Sequence, residues 1–274
     1  MAVRFTPQMY IEHYAAQRGI TVAEIGVASI VVISWAPSVI HAFAERAEAQ
    51  PAPHWPWAKR YPFYTGQVQG QAVSFAQVGI GAPATVAAME EMIACGARLF
   101  LGLGWAGSLQ PSAPIGSFLI PARCIREEGT SVHYVADEAI SLPDERLVER
   151  LQVAAQAEAE KVLLGPHWTT DAPYREHNHT IAAHRQQGVV GVDMETSAMY
   201  ALGHFRNVPV CNLLVISDEV WREWRSASWT PALKTATARA QDVIMRVLEG
   251  GDLLPQSSLD FWDNPFDNED WNEF

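Results

Sequence analysis

Two acids and two glycine turns are the parts of this sequence that could do chemistry. Glu195 stands in Gly191-Val192-Asp193-Met194-Glu195-Thr196-Ser197, where a short apolar run gives way to a helical pattern. A carboxylate at such a junction can accept two hydrogen bonds from a vicinal diol. It can equally do no more than offset the helix dipole, and spacing alone leaves the two readings even. Asp218 closes Val215-Ile216-Ser217-Asp218. There it is either a general acid, if partial burial raises its proton affinity, or the start of a turn. Gly79-Ile80-Gly81-Ala82-Pro83 joins a strand-like run to a helix-like one. Glycines there let backbone N–H groups approach a ligand oxygen, although simple turn chemistry is the commoner use.

The second turn, Gly102-Leu103-Gly104-Trp105-Ala106-Gly107, has the glycine content of an anion cradle, but no Arg, Lys, Ser or Thr lies within it. Trp105 sits in its middle, and we expect that indole to fill part of the space, with Gly102 kept small so that the ring can fold over it. Other candidates weigh less. His177 and His179, with His184, lack a second acidic or thiol set and read as a solvated face rather than a metal site. Trp221 and Trp224 could stack on a flat ring but read first as surface packing.

These residues need elements to position them. Residues 25–33 read as a buried strand, 39–49 as a helix and 50–62 as a loop. Two strand pieces surround Gln69-Gly70 within 65–78. Residues 83–95 read as a helix with Pro83 at its start and Gly96 past its end. Strands follow at 99–103, 118–120, 124–125, 189–193 and 210–216, and helices at 144–161, 195–205 and 230–248. Strands alternating with helices predict an α/β domain with a mainly parallel sheet. Ligands of such sheets bind beyond the carboxyl ends of the strands. That places residues 34–38, 79–83, 104–108, 193–195 and 217–219 around one cleft.

The 274 residues, 49% of them apolar, suffice for one large core. We expect a single domain over 1–250 and an acidic, aromatic tail over 251–274. The formal net charge is −12, and Asp260, Asp263, Asp267, Glu269, Asp270 and Glu273 supply half of it. That balance argues against nucleic acid as a partner. The longest apolar run is too short to span a bilayer, and the start of the chain lacks a basic-then-apolar pattern, so a soluble intracellular protein without a membrane partner is expected. Three distant cysteines indicate neither disulfides nor zinc.

Taken together, GIGAPATVAAMEEMIACGARLFLGLGWAGSLQP, GSFLIPARCIREEGTSVHY, GPHWTTDAPYRE, GVVGVDMETSAMYAL and VISD resemble the nucleoside phosphorylase and nucleosidase superfamily. The segments occur in the family's order and cover roughly residues 22–250. REEGTSVHY and TTDAPYRE look most like its uridine-phosphorylase-like branch. The resemblance implies a three-layer α/β sandwich around a mixed, partly barrel-like sheet. It also implies cytoplasmic homo-oligomers, dimeric or larger, that need no metal or organic cofactor, with phosphate as the usual co-substrate. Cleavage of the N-glycosidic bond of a nucleoside is the implied activity. By the same resemblance Met194 and Glu195 hold the ribose, Gly81 lies at the phosphate–ribose junction, and Asp218 protonates a purine leaving group. Pro173, Tyr174 and Arg175 stand where the base is met. Trp105, Ala106 and Gly107 form the turn, while His13, Lys59 and Arg60 are candidates to be lent by a neighbouring subunit.

The resemblance breaks at the phosphate. Its first loop reads Gly-Asp-Pro-x-Arg, whereas this chain has Ser34-Trp35-Ala36-Pro37-Ser38. Its second arginine falls on Gly102 and its threonine on Trp105. A phosphate dianion needs charge-assisted donors, and these are missing together. GWAG is closer to the water-using nucleosidases, but their first loop supplies a glutamate that 34–39 lacks. Phosphate, water, or nucleoside binding without catalysis therefore all stay open.

Overall fold

The computed structural model describes residues 4–136, 141–158 and 160–254. Of the expected tail, everything from 255 onward, including its six acids, lies outside the described residues. The first strand, β1 (Ile30–Ser34), is shorter than the apolar run suggested, because Ala23–Ile25 forms a 3-10 turn ahead of it. Helix α1 (Pro7–Arg18) precedes both; its start is capped by Thr6 and its end by the left-handed Gly19. Its weak amphipathic pattern gave no sequence signal.

After β1 come α2 (Pro37–Arg46), β2 (Gln50–Pro51), β3 (Phe63–Val68), β4 (Gln71–Gln77) and α3 (Ala82–Ala94). Then follow β5 (Leu99–Ser108), β6 (Phe118–Glu127), α4 (Glu145–Ala157), β7 (Val162–Thr170) and α5 (Asn178–Gln186). The chain closes with β8 (Gly191–Asp193), α6 (Thr196–Arg206), β9 (Val210–Glu219), β10 (Arg225–Ser226) and α7 (Pro231–Glu249). Side-chain caps mark two helix starts: Asp144 accepts from the Leu147 N–H at 3.0 Å, and Thr230 from the Leu233 N–H at 3.3 Å.

The strands form one mixed sheet in the order β10-β9-β6-β7-β8-β5-β1-β4-β3-β2, and β9 also pairs with β5. That extra pairing closes β5, β9, β6, β7 and β8 into a ring. The centre is parallel, as β1 pairs in parallel with β4 and β5, and β5 with β9. Antiparallel pairs stand at both edges and also inside the ring, where β6 pairs with β9 and β5 with β8, so the sheet is less uniformly parallel than the alternation of strands and helices suggested. Strand β6 runs unbroken through what read as two pieces, with a register shift between Pro121 and Arg123.

Alternation along β1 builds the three layers. Ile30 and Val32 join one core with α2, α4 and α7, whereas Val31 and Ile33 join another with α1, α3 and α6. Both faces of the central strands are therefore dry, and the open ground is at their carboxyl ends. Among the described residues no helix is long and apolar enough to cross a membrane.

Candidate active site

The ends of β1, β5 and β8 surround a cavity of about 180 Å³. Its walls are residues 34–36, Val39, Ile80, 103–105, 193–195 and Thr237. Segments from four of the five expected strand ends thus meet. The fifth, 217–219, stands farther along the same strand pair and does not line this cavity. Asp218 is instead in register with Gly107 of β5.

Glu195 is 6% exposed, and its place is fixed by backbone donors. Gly81 adopts φ +97°, a conformation that suits glycine, and its N–H donates to Glu195 Oε1 at 2.6 Å. The Met194 N–H lies 3.3 Å from Oε2. Burial first, and the neighbouring Asp193 charge second, push the Glu195 carboxyl up to about 8, against those two N–H groups. The strand end therefore positions a buried acid of high proton affinity at the mouth of a glycine turn.

Asp193 is the more firmly ionised neighbour. Burial alone would raise it, but the facing His167 ring and the hydroxyls of Thr196 and Thr169 outweigh burial and hold it below the usual carboxylate range. His167 Nε2 is 3.1 Å from Asp193 Oδ1, and Thr169 Oγ1 donates to the same oxygen at 2.8 Å. The N–H of Glu195 is 3.3 Å from Asp193 Oδ1, so Asp193 also fixes the turn that carries Glu195. Sequence reading placed 193–195 at the cleft but gave Asp193 no role, and it missed His167. The alternating polar residues His167 and Thr169 in the buried second half of β7 were the available signal.

The segment 102–107, expected as a turn, is strand, since β5 runs through it, and it is covered, though not in the way expected. An ideal Cβ on Gly104 would lie 2.6 Å from Cζ3 of Trp35, so it is Trp35 whose ring covers the segment. Its Nε1 donates to Thr85 Oγ1 at 2.9 Å. Trp105 also lines the cavity, 42% exposed, with Nε1 donating to Thr237 Oγ1 at 3.0 Å. Gly102 is small for a different partner. A Cβ there would fall 2.1 Å from Asn212 Oδ1, so the buried Asn212 of β9, and not Trp105, occupies that space. Among the described residues that line the cavity, none is Lys, Arg or His. Ser38, where the resemblance puts an arginine, is exposed and does not line it.

Asp218 forms a second centre beside Ala106 and Gly107. Ser217 Oγ donates to its Oδ1 at 2.7 Å and Trp224 Nε1 to its Oδ2 at 3.1 Å. Ser217 Oγ is also 3.3 Å from the Ala106 carbonyl oxygen. Glu176 belongs to the same centre and was not singled out from the sequence. Burial, and then the charge of Asp218, raise its carboxyl to about 7.

Tyr174 is 98% exposed and Arg175 is exposed, so within one chain neither reaches the cavity. His13 on α1 and Lys59 and Arg60 in the loop after β2 are exposed as well. The His177 and His179 rings stack 5.4 Å apart, and among the described residues no group of three or more His, Cys, Asp or Glu could hold a metal.

A model of the phosphorylase superfamily matches residues 29–249. The chain is 32% identical over 176 residues to a uridine phosphorylase of Treponema pallidum (strain Nichols), which covers 60% of this chain and 68% of that one. It is 28% identical over 144 residues to a guanosine phosphorylase of Halorubrum lacusprofundi, covering 53% and 60%. In fold it is similar to the crystal structure of a purine nucleoside phosphorylase from Toxoplasma gondii in complex with immucillin-H. The TM-score is 0.75 at 19% identity, covering 83% of this chain and 92% of that one. A uridine phosphorylase from Vibrio fischeri ES114 gives 0.72 at 21% identity, with 82% and 93% covered.

Proposed function

The chain belongs to the phosphorylase superfamily, and on that premise we propose that it cleaves the N-glycosidic bond of a nucleoside with a purine as the leaving base. The carrying observation is the Gly81–Glu195 contact at 2.6 Å, a backbone-fixed carboxyl on the wall of the strand-end cavity. In this reading Glu195 accepts the ribose 2′- and 3′-hydroxyls, with Met194 against the sugar. Charge builds on the base as the bond to C1′ lengthens, and Asp218 supplies the proton that lets the base leave. Relatives named for uridine and for guanosine support a nucleoside substrate. The choice of a purine rests on Asp218, through the resemblance. These steps use side chains alone and invoke no metal or organic cofactor.

Phosphate is a poor acceptor in this reading. A dianion in the cavity would meet two indoles and the Asp193 and Glu195 acids, with no cation among the described residues that line it. The same observation favours water as the acceptor: its oxygen bonds to C1′ as the bond to the base breaks, and free sugar and free base leave. A homo-oligomer, dimeric or larger, in which His13, Lys59 or Arg60 reach a neighbour's site, belongs to the proposal. A monomer at micromolar concentration by sedimentation would count against that part. The reading as a whole is tested by incubation with a nucleoside panel, with and without phosphate, and chromatography of base and sugar. Release of free base supports it. Tight nucleoside binding without turnover would show a binding protein instead.

A further inference from the structure

The indole of Trp224 ends on the carboxylate that the proposed reaction needs. Of the two Asp218 oxygens, Oδ1 is tied down by Ser217, whose hydroxyl is buried at the Ala106 carbonyl. Oδ2 is the one a ligand can use. It lies 3.4 Å from where a Cβ on Gly107 would be, a place that Val192 and Val220 also approach to 3.1 and 3.7 Å, so no side chain from position 107 stands against it. Trp224 Nε1 occupies it at 3.1 Å. The chain brings the indole there by doubling back: β10 pairs antiparallel with β9, Ser226 opposite Asp218, and Trp224 directly precedes β10.

Yet the ring is loosely kept. Trp224 is 68% exposed, and among the described residues no second hydrogen bond or ring contact holds it. An apolar bicycle left mostly in water and anchored by one N–H is a group that can leave at little cost.

We propose that Trp224 is a removable occupant of the base subsite, holding in the free protein the place at Asp218 Oδ2 that the five-membered ring of a purine takes in the complex. The exchange is like for like. Indole offers one N–H on the five-membered ring of a flat bicycle, and a purine carrying its proton on N7 offers the same group on the same frame. Uracil has no five-membered ring to reach Oδ2, so the indole stays in place beside it. Because the indole and the base compete for one oxygen, the apparent affinity for the base is reduced by the fraction of time the indole is in place. This inference rests on the reading of Asp218 as the acid that meets the base.

Calorimetric titration of the full chain and of Trp224→Phe with hypoxanthine and with uracil tests it. Phenylalanine keeps a ring but has no N–H to hold Oδ2, and at an exposed site it should leave the fold intact. The variant is expected to bind hypoxanthine about three- to tenfold more tightly than the parent, as loss of one partly solvated charge-assisted hydrogen bond implies. Uracil affinity is expected to stay within about twofold. Equal or weaker hypoxanthine binding by the variant, no hypoxanthine binding by either protein, or an equal gain for uracil would overturn the proposal. Nucleoside cleavage is read separately. Tighter base binding without any cleavage by the parent sinks the catalytic reading and leaves the exchange standing. Cleavage with unchanged base affinity does the reverse.

Discussion

The Trp35 ring lies over Gly104 so closely that a methyl group on that glycine would fall 2.6 Å from Cζ3. This contact covers β5 at Gly104 and makes the two residues one packing unit. Gly104→Ala should therefore push the indole out of place and lower stability by about 1–3 kcal/mol. Trp35→Ala should cost a similar amount through lost packing, but the double variant should cost clearly less than the sum, since the clash disappears with the ring. Urea unfolding of the four proteins checks this; strict additivity would mean that ring and glycine are independent.

Gly102 and Asn212 make a second such unit. Asn212 is fully buried and donates through Nδ2 to Thr196 Oγ1 at 2.9 Å, so it cannot retreat to admit a Cβ at 102. Gly102→Ala should destabilise by at least about 2 kcal/mol, as overpacking beside a held polar group does. Adding Asn212→Ala should recover part of that loss. A Gly102→Ala protein with an unchanged thermal midpoint would contradict the packing described.

Glu195 makes stability depend on pH with a definite sign. Its folded value, about 8, lies above the ordinary 4.5. Between those values the folded protein keeps a proton that the unfolded chain has released, so stability falls as pH rises through the window and levels off above about 8. Glu195→Gln removes this slope. The variant should be more stable than the parent by a few kcal/mol at pH 8.5 and nearly equal at pH 5. Thermal melts at the two pH values decide, and an equal difference at both would refute it.

Glu176 should mark the activity profile. Its carboxyl titrates near 7 because of burial and then Asp218. If it keeps a proton beside Asp218 during cleavage, kcat/KM falls as pH rises through about 7, and Glu176→Gln flattens that limb. Asp218→Asn should bring the Glu176 titration, followed by carbon NMR, to lower pH. An unmoved midpoint would separate the two acids.

How far the sequence could be read depended on the range of the interactions. Glu195, Gly81 and the strand ends that meet at the cavity were legible, because strand-end position and glycine turns are local signals. The helix starts at 144 and 230 were also local. Trp35 over Gly104 and Asn212 beside Gly102 were not. Each joins residues far apart in the chain, and only the parallel pairing of β5 with β1 and β9 sets them side by side. Strand β7 went unread because His167 and Thr169 interrupt its apolar pattern, and those polar residues are what Asp193 needs. Trp224 was read as surface packing. It is indeed mostly exposed, but its one polar atom ends on Asp218.

In the proposed function a cavity walled by two indoles and two acids, with no cation among the described residues that line it, does not use phosphate. The most direct measurement is the rate of base release from a cleaved nucleoside as phosphate is raised from zero to millimolar, with the sugar product identified. A rate independent of phosphate, with free ribose as the product, is expected. A rate proportional to phosphate, with ribose 1-phosphate formed, would contradict it.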